Sequence, residues 1–120
     1  MIEIRYTRDG EVEVRGGAAA HAAVHRAVVG LLELGKASVG IEAARGFDPA
    51  PFESALTLLV IRRSEGRLRH YVVTRRALVL EGSPEELRRF ASLLAGRQAG
   101  EALRPTSTST RGARAALVIR

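Results

Sequence analysis

His21 and His25 stand four residues apart, a spacing that sets two imidazoles on one helix face within reach of one metal ion. Zinc proteases add a Glu directly after the first His, and here that position is Ala22. A third ligand would have to come from His70 or a distant carboxylate. The alternative is a solvated face on an alanine-rich helix. No Ser sits in a Gly-x-Ser-x-Gly elbow, so the hydrolase nucleophile pattern is missing. The glycines at 10, 16, 17, 30, 35, 40 and 46 spell neither phosphate-binding fingerprint. Gly16-Gly17-Ala18 could offer backbone amides to an anion, as any helix start does. Carboxylates are scattered, and Glu11 and Glu13 share one side of a short strand as solubility residues. The chain lacks cysteine, which excludes disulfides, thiolate metal sites and a cysteine nucleophile. No cofactor and no metal is implied, and the expectation is a protein that binds rather than catalyses.

The arginines are the strongest functional feature. Residues 1–60 carry 6 Lys+Arg against 8 Asp+Glu, net −2, whereas residues 61–120 carry 13 against 5, net +8. Arg62, Arg63, Arg67, Arg69, Arg75 and Arg76 gather around two strands and their turns. By the period of two, Arg67, Arg69, Tyr71, Val73 and Arg75 share one face. Such a patch suits an acidic protein partner or nucleic-acid phosphates. It equally suits a solvated sheet face paired with nearby glutamates. Aromatic residues are 4% of the chain and Tyr71 is the lone one in the patch, which is few for a binder that stacks bases.

These residues must be positioned by the segment Leu56–Gly82. It reads as three strands, Leu56–Arg63, Arg67–Thr74 and Ala77–Glu81, with Ser64-Glu65-Gly66 as a tight turn between the first two. Upstream, Ile2, Ile4 and Tyr6 alternate with polar residues, as do Val12 and Val14. Asp9-Gly10 between these runs signals a hairpin. Ala18–Leu34 reads as a helix, with Ala20, Val24, Ala27, Val28, Leu31 and Leu34 on its apolar stripe and His21, His25, Arg26 and Glu33 opposite. Gly35 is placed to cap it, and Gly30 suggests a close packing contact. Ala37–Arg45 reads as a strand. The prolines of Gly46–Phe52 make a loop, whose Phe47 and Phe52 are expected to anchor on the core.

Ser83-Pro84-Glu85-Glu86 is a capping box with proline in the first turn. It opens a helix with Leu87, Phe90, Ala91 and Leu94 inward, ending at Gly96 or Gly100. Residues 101–114 are polar, and Thr106-Ser107-Thr108-Ser109-Thr110 reads as a flexible loop or a β-branched edge strand, with the loop preferred. Ala115–Ile119 is a final strand inserted in the sheet.

The expected fold is α+β: one domain over 1–120, a mostly antiparallel sheet in the order β-β-α-β-β-β-β-α-β, and two helices packed on one face. Hydrophobic residues at 46% and charged residues at 27% fit a soluble globular chain. No uncharged apolar run approaches about 18 residues, so no membrane span is expected. The alternating start Met1-Ile2-Glu3-Ile4-Arg5 reads as a strand rather than a signal peptide.

The order of elements resembles a group of small bacterial immunity proteins that neutralise polymorphic toxins. The matching pieces are Ile2-Glu3-Ile4, Gly82-Ser83-Pro84-Glu85-Glu86-Leu87 with Phe90-Ala91 and Leu94, and the closing Ala116-Leu117-Val118-Ile119. The resemblance implies a cytoplasmic protein that occludes a toxin, with no catalytic residue of its own. Members of that group often carry histidines or acidic residues before the last strand, where this chain reads Arg104-Pro105-Thr106-Ser107-Thr108-Ser109-Thr110. The same partner is therefore not implied. The function expected is a partner-binding protein using Arg62, Arg63, Arg67, Arg69, Tyr71, Arg75 and Arg76. A nucleic-acid-binding module on the Arg62–Arg76 surface is the alternative.

Overall fold

The computed structural model describes residues 1–7, 10–97, 100–105, 108–109 and 117–120. Its α+β class and chain order follow the pattern of the sequence, with two short strands added. The strands are β1 (Glu3–Tyr6), β2 (Val12–Arg15), β3 (Ser38–Glu42), β4 (Ser54–Leu56), β5 (Leu58–Arg63), β6 (Arg69–Val73), β7 (Ala77–Gly82), β8 (Thr108–Ser109) and β9 (Leu117–Ile119). The helices are α1 (Ala18–Leu34) and α2 (Pro84–Ala95).

The strands form two mixed sheets where one was expected. Sheet one runs β4-β1-β2-β9 and sheet two runs β3-β5-β7-β6-β8. β1 and β2 make the expected hairpin, with Tyr6 opposite Val12 and Gly10 at φ 91°. Arg8 and Asp9 of that turn lie outside the described residues. The hairpin is flanked by β4 and by β9, which joins parallel to β2 at the sheet's margin.

In sheet two, β5 and β6 are not neighbours, because β7 lies between them, parallel to β5 and antiparallel to β6. All six residues of β7 are buried, as befits a central strand covered by neighbours on both sides. The Ser64-Glu65-Gly66 link therefore crosses the end of β7 instead of closing a hairpin. Ser64 donates to the Gly82 carbonyl at 2.9 Å and Ser83 donates to the Gly66 carbonyl at 3.1 Å. Gly82 makes this crossing close, since a Cβ there would stand 3.3 Å from the Leu68 Cα.

Both helices reach the inner face of sheet two. His21 and Val24 of α1, Phe90 and Leu94 of α2, and Leu59, Leu78 and Leu80 of sheet two line one small void, of about 20 Å³. Val14, Leu117 and Ile119 of sheet one close it. The core thus sits between the two sheets and the helix pair. Gly35 caps α1 in the left-handed region at φ 64°. Ser83 caps α2 by accepting from the Glu86 amide at 3.2 Å. α2 stops at Ala95 with Gly96 as its cap.

Three expectations are corrected. A Cβ at Gly30 would meet nothing within 4 Å, so no close contact explains it. Phe52 leaves the core and lies under the Arg5 guanidinium, 4.6 Å from carbon to ring centre. Within the serine–threonine stretch read as a loop, Thr108–Ser109 is a strand parallel to β6, and the rest of that stretch lies outside the described residues. Among the described residues no helix is long and apolar enough to cross a membrane.

Candidate functional site

Strand register builds the site. Glu81 on β7 lies opposite Arg62 of β5 on one side and Arg69 of β6 on the other. Paired residues in adjacent strands point to the same face. The three side chains therefore form a row across the outer face of sheet two, away from the helices. Arg69 Nη2 donates to Glu81 Oε1 at 2.6 Å, and the Tyr71 hydroxyl donates to Oε2 at 3.3 Å. Arg62 Nε lies 3.9 Å from Oε2. The Glu81 side chain is 8% exposed, whereas Arg62 and Arg69 are 59% and 46% exposed. One buried carboxylate thus bonds the Arg69 guanidinium and the Tyr71 phenol, with the Arg62 guanidinium within ion-pair range, and the cluster keeps a net positive charge.

Beyond the row this face turns apolar. Leu58 and Val60 precede Arg62 on β5, Ala77 and Val79 precede Glu81 on β7, and Tyr71 and Val73 follow Arg69 on β6. Val73 is 39% exposed. The result is an aliphatic strip with a cationic end.

The remaining arginines sit elsewhere. Arg63 has an Nη1 3.8 Å from where a Gly35 side chain would begin, at the C-terminal end of α1, whose dipole favours a cation. Arg67 borders a hollow beside α2 with Arg89 and Arg104. Arg75 and Arg76 occupy the β6–β7 turn, as expected, but that turn breaks the alternation. Thr74 and Arg75 have φ of 53° and 56°, and the Arg76 amide closes the turn on the Val73 carbonyl at 3.0 Å. Arg75 consequently borders a cleft rather than the Arg69 face. Of the seven residues expected to form one patch, the structure brings together Arg62, Arg69 and Tyr71.

The cleft, about 710 Å³, lies between the β1–β2 hairpin and β6. Tyr6, Glu53, His70, Tyr71 and Arg75 contribute polar groups to it. His70 is buried, and that burial holds its pKa below the ordinary histidine value. Sequence reasoning considered His70 as a metal ligand and passed over Tyr6 and Glu53.

The helix histidines do not form a solvated pair. His21 is buried, and its Nε2 lies 2.9 Å from the Arg120 carbonyl, to which it donates. Burial and the nearby Arg97 lower its pKa, partly offset by that carbonyl. Among the described residues no group of three His, Asp or Glu side chains is placed to hold a metal ion.

The outer face of sheet one carries a second arginine–carboxylate cluster. Arg5 pairs with Glu13, and Arg120 Nε lies 3.2 Å from Glu13 Oε2. Here the loop after β3 folds over the pair. Arg5 Nη1 donates to the Ala50 carbonyl at 2.8 Å, and the Phe52 ring covers the guanidinium. Arg5 is left 7% exposed. Comparison with protein-family models, with curated proteins and with solved structures finds no match to this chain.

Proposed function

We propose that this chain is a cytoplasmic, non-catalytic binding protein that docks a protein partner on the outer face of sheet two, in the manner of the immunity proteins its sequence resembles. The observation that carries the reading is the anchored row Arg62–Glu81–Arg69 with Tyr71 beside an aliphatic strip. Arginine and tyrosine supply a large share of binding energy at protein interfaces. Side chains already fixed in the free protein lose less freedom on docking. Arg69 spends one edge of its fork on Glu81, and its exposed donors remain for a partner's carboxylates.

A protein partner is favoured over nucleic acid by the same row. Glu81 places a negative charge at its centre, and Arg63, Arg67, Arg75 and Arg76 do not extend it into a phosphate-tracking stripe. The reading predicts that a toxin gene stands beside this one and that its product binds the chain. Arg69→Ala and Tyr71→Ala should each weaken that complex about 10- to 100-fold, the loss of one interface anchor. Added salt should slow association. Calorimetry with the neighbouring gene product measures the first effect and stopped-flow mixing the second. Unchanged affinity in both variants, or tight salt-sensitive binding of mixed oligonucleotides instead, overturns the proposal.

A further inference from the structure

β3 has one strand neighbour among the described residues, β5, and forms a margin of sheet two. The Arg63 amide donates to the Ala37 carbonyl at 2.8 Å, and the Ala43 amide donates to the Thr57 carbonyl at 3.0 Å. In an antiparallel pair, bonded positions alternate. Residues 37, 39, 41 and 43 therefore bond inward, and the amides and carbonyls of Ser38, Gly40 and Glu42 point outward. Proteins commonly block such margins with Lys, Pro or a bulge. No Lys, Pro or bulge stands at these three positions, the single charge is Glu42 at one end, and the middle position has no side chain.

We infer that the β3 margin pairs with β3 of a second copy of this chain, antiparallel about a two-fold axis at Gly40. In that register Gly40 faces Gly40, and Ser38 faces Glu42. About six main-chain hydrogen bonds form, two for each bonded pair. The pattern is self-complementary, which a two-fold contact requires. The outward Ala44 amide is held by the chain's own Ile2 carbonyl, so the seam ends at Glu42, where the exposed Lys36 of the second copy leaves it and opposite charges come near each other at both ends.

A second feature points to the same occupant. The two most exposed large apolar residues are Met1, at 76%, and Leu34, at 70%. Leu34 ends the helix that leads into β3. Met1 precedes Ile2, whose carbonyl accepts from the Ala44 amide at 2.7 Å, just past the other end of β3. The two-fold pairing brings Leu34 of each copy to the same end of the seam as Met1 of the other. A parallel pairing would leave them at opposite ends. The joined sheets also present both Arg62–Glu81–Arg69 rows on one side, yet the pairing does not depend on what those rows bind.

Sedimentation equilibrium of the full chain over a concentration series tests the pairing. The expected mass rises toward twice 12.9 kDa. Gly40→Pro removes the outward amide while leaving the bonds to β5, and should weaken association about tenfold or more. Circular dichroism and thermal melting check that this variant folds. Glu42→Lys, at an exposed position, gives an independent arm: it should weaken association, and the double exchange Lys36→Glu with Glu42→Lys should restore it. A monomer throughout the series overturns the inference, as does a dimer indifferent to both Gly40→Pro and Glu42→Lys. A chain that stays monomeric while a foreign strand protects the amides of Ser38, Gly40 and Glu42 from exchange also overturns it.

Discussion

The Glu81 row has an asymmetry that can be measured. Its carboxylate is buried, at 8% exposure, while its principal cation, Arg69, is about half exposed. Glu81→Gln keeps the shape and removes the charge. The guanidiniums of Arg69 and Arg62 can then turn to water. A charge-assisted hydrogen bond contributes about 1.5–3 kcal/mol, and the exposure of Arg69 reduces this, so a loss of about 1 kcal/mol is expected. Arg69→Ala is a different perturbation. It leaves a buried carboxylate with the Tyr71 hydroxyl at 3.3 Å and Arg62 at 3.9 Å. Stripping a fully buried ion of its partner costs about 3–5 kcal/mol. Because Arg62 remains, about 2 kcal/mol is expected here.

The double variant should then be more stable than Arg69→Ala alone, by about 1 kcal/mol, because it removes the stranded charge. Urea denaturation at neutral pH gives the three differences, read as midpoint shifts with unchanged slope. A Glu81→Gln variant less stable than Arg69→Ala would refute this reasoning, as would strictly additive losses in the double variant.

His21 and His70 are held below the ordinary histidine range by burial, so below about pH 6.5 the unfolded chain binds protons that the folded chain refuses. Stability from these two groups is then full above that pH and is lost as the pH falls below it through the folded-state values. Melting across this range checks it, and His70→Gln should flatten the slope. Two glycines should respond oppositely to alanine. Gly82→Ala puts a Cβ 3.3 Å from the Leu68 Cα, a backbone atom directly before β6, and should cost about 1–3 kcal/mol. Gly30→Ala meets open space inside α1 and should stabilise by about 1 kcal/mol, by the same denaturation assay.

What the sequence made legible is what short-range physics decides. The stripe Val24, Val28, Leu31 repeats every three or four residues and specifies α1 locally. Ser83 and Glu86 specify where α2 begins. Strand partnership is decided by contacts distant in the chain, and there the reading failed. Chain order suggested that β5 and β6 pair, yet β7 is the most apolar of the three and gains most from the central place, where neighbours cover both its edges. The hairpin β1–β2 carries no local mark that it avoids β5–β7 and joins β4 and β9. On the arginine-bearing strands the alternation was carried too far, through a turn where positive φ at Thr74 and Arg75 breaks it. Glu81 did carry a signal: a lone carboxylate closing an apolar strand, with arginines on both flanking segments.

The two outer faces of the molecule bear on the docking reading together. Each carries arginines held by one buried carboxylate, Glu13 on sheet one and Glu81 on sheet two. On sheet one the chain itself supplies the cover. The Ala50 carbonyl accepts from Arg5 Nη1, and the Phe52 ring centre lies 4.6 Å from the guanidinium carbon, which leaves Arg5 7% exposed. On sheet two Arg62 and Arg69 have the same kind of anchor and stay open. A guanidinium stacked on a ring and bonded to oxygen gains more when water is excluded. The intramolecular cover therefore describes the chemistry that a partner for sheet two would bring: an aromatic side chain, flanked by carboxylate or carbonyl oxygens, presented on a loop. Short peptides with that composition, titrated against the chain and against Arg69→Ala, should bind the first and not the second. Peptides matched in charge but lacking the aromatic residue should bind more weakly, and equal binding by both sets would remove the analogy between the two faces.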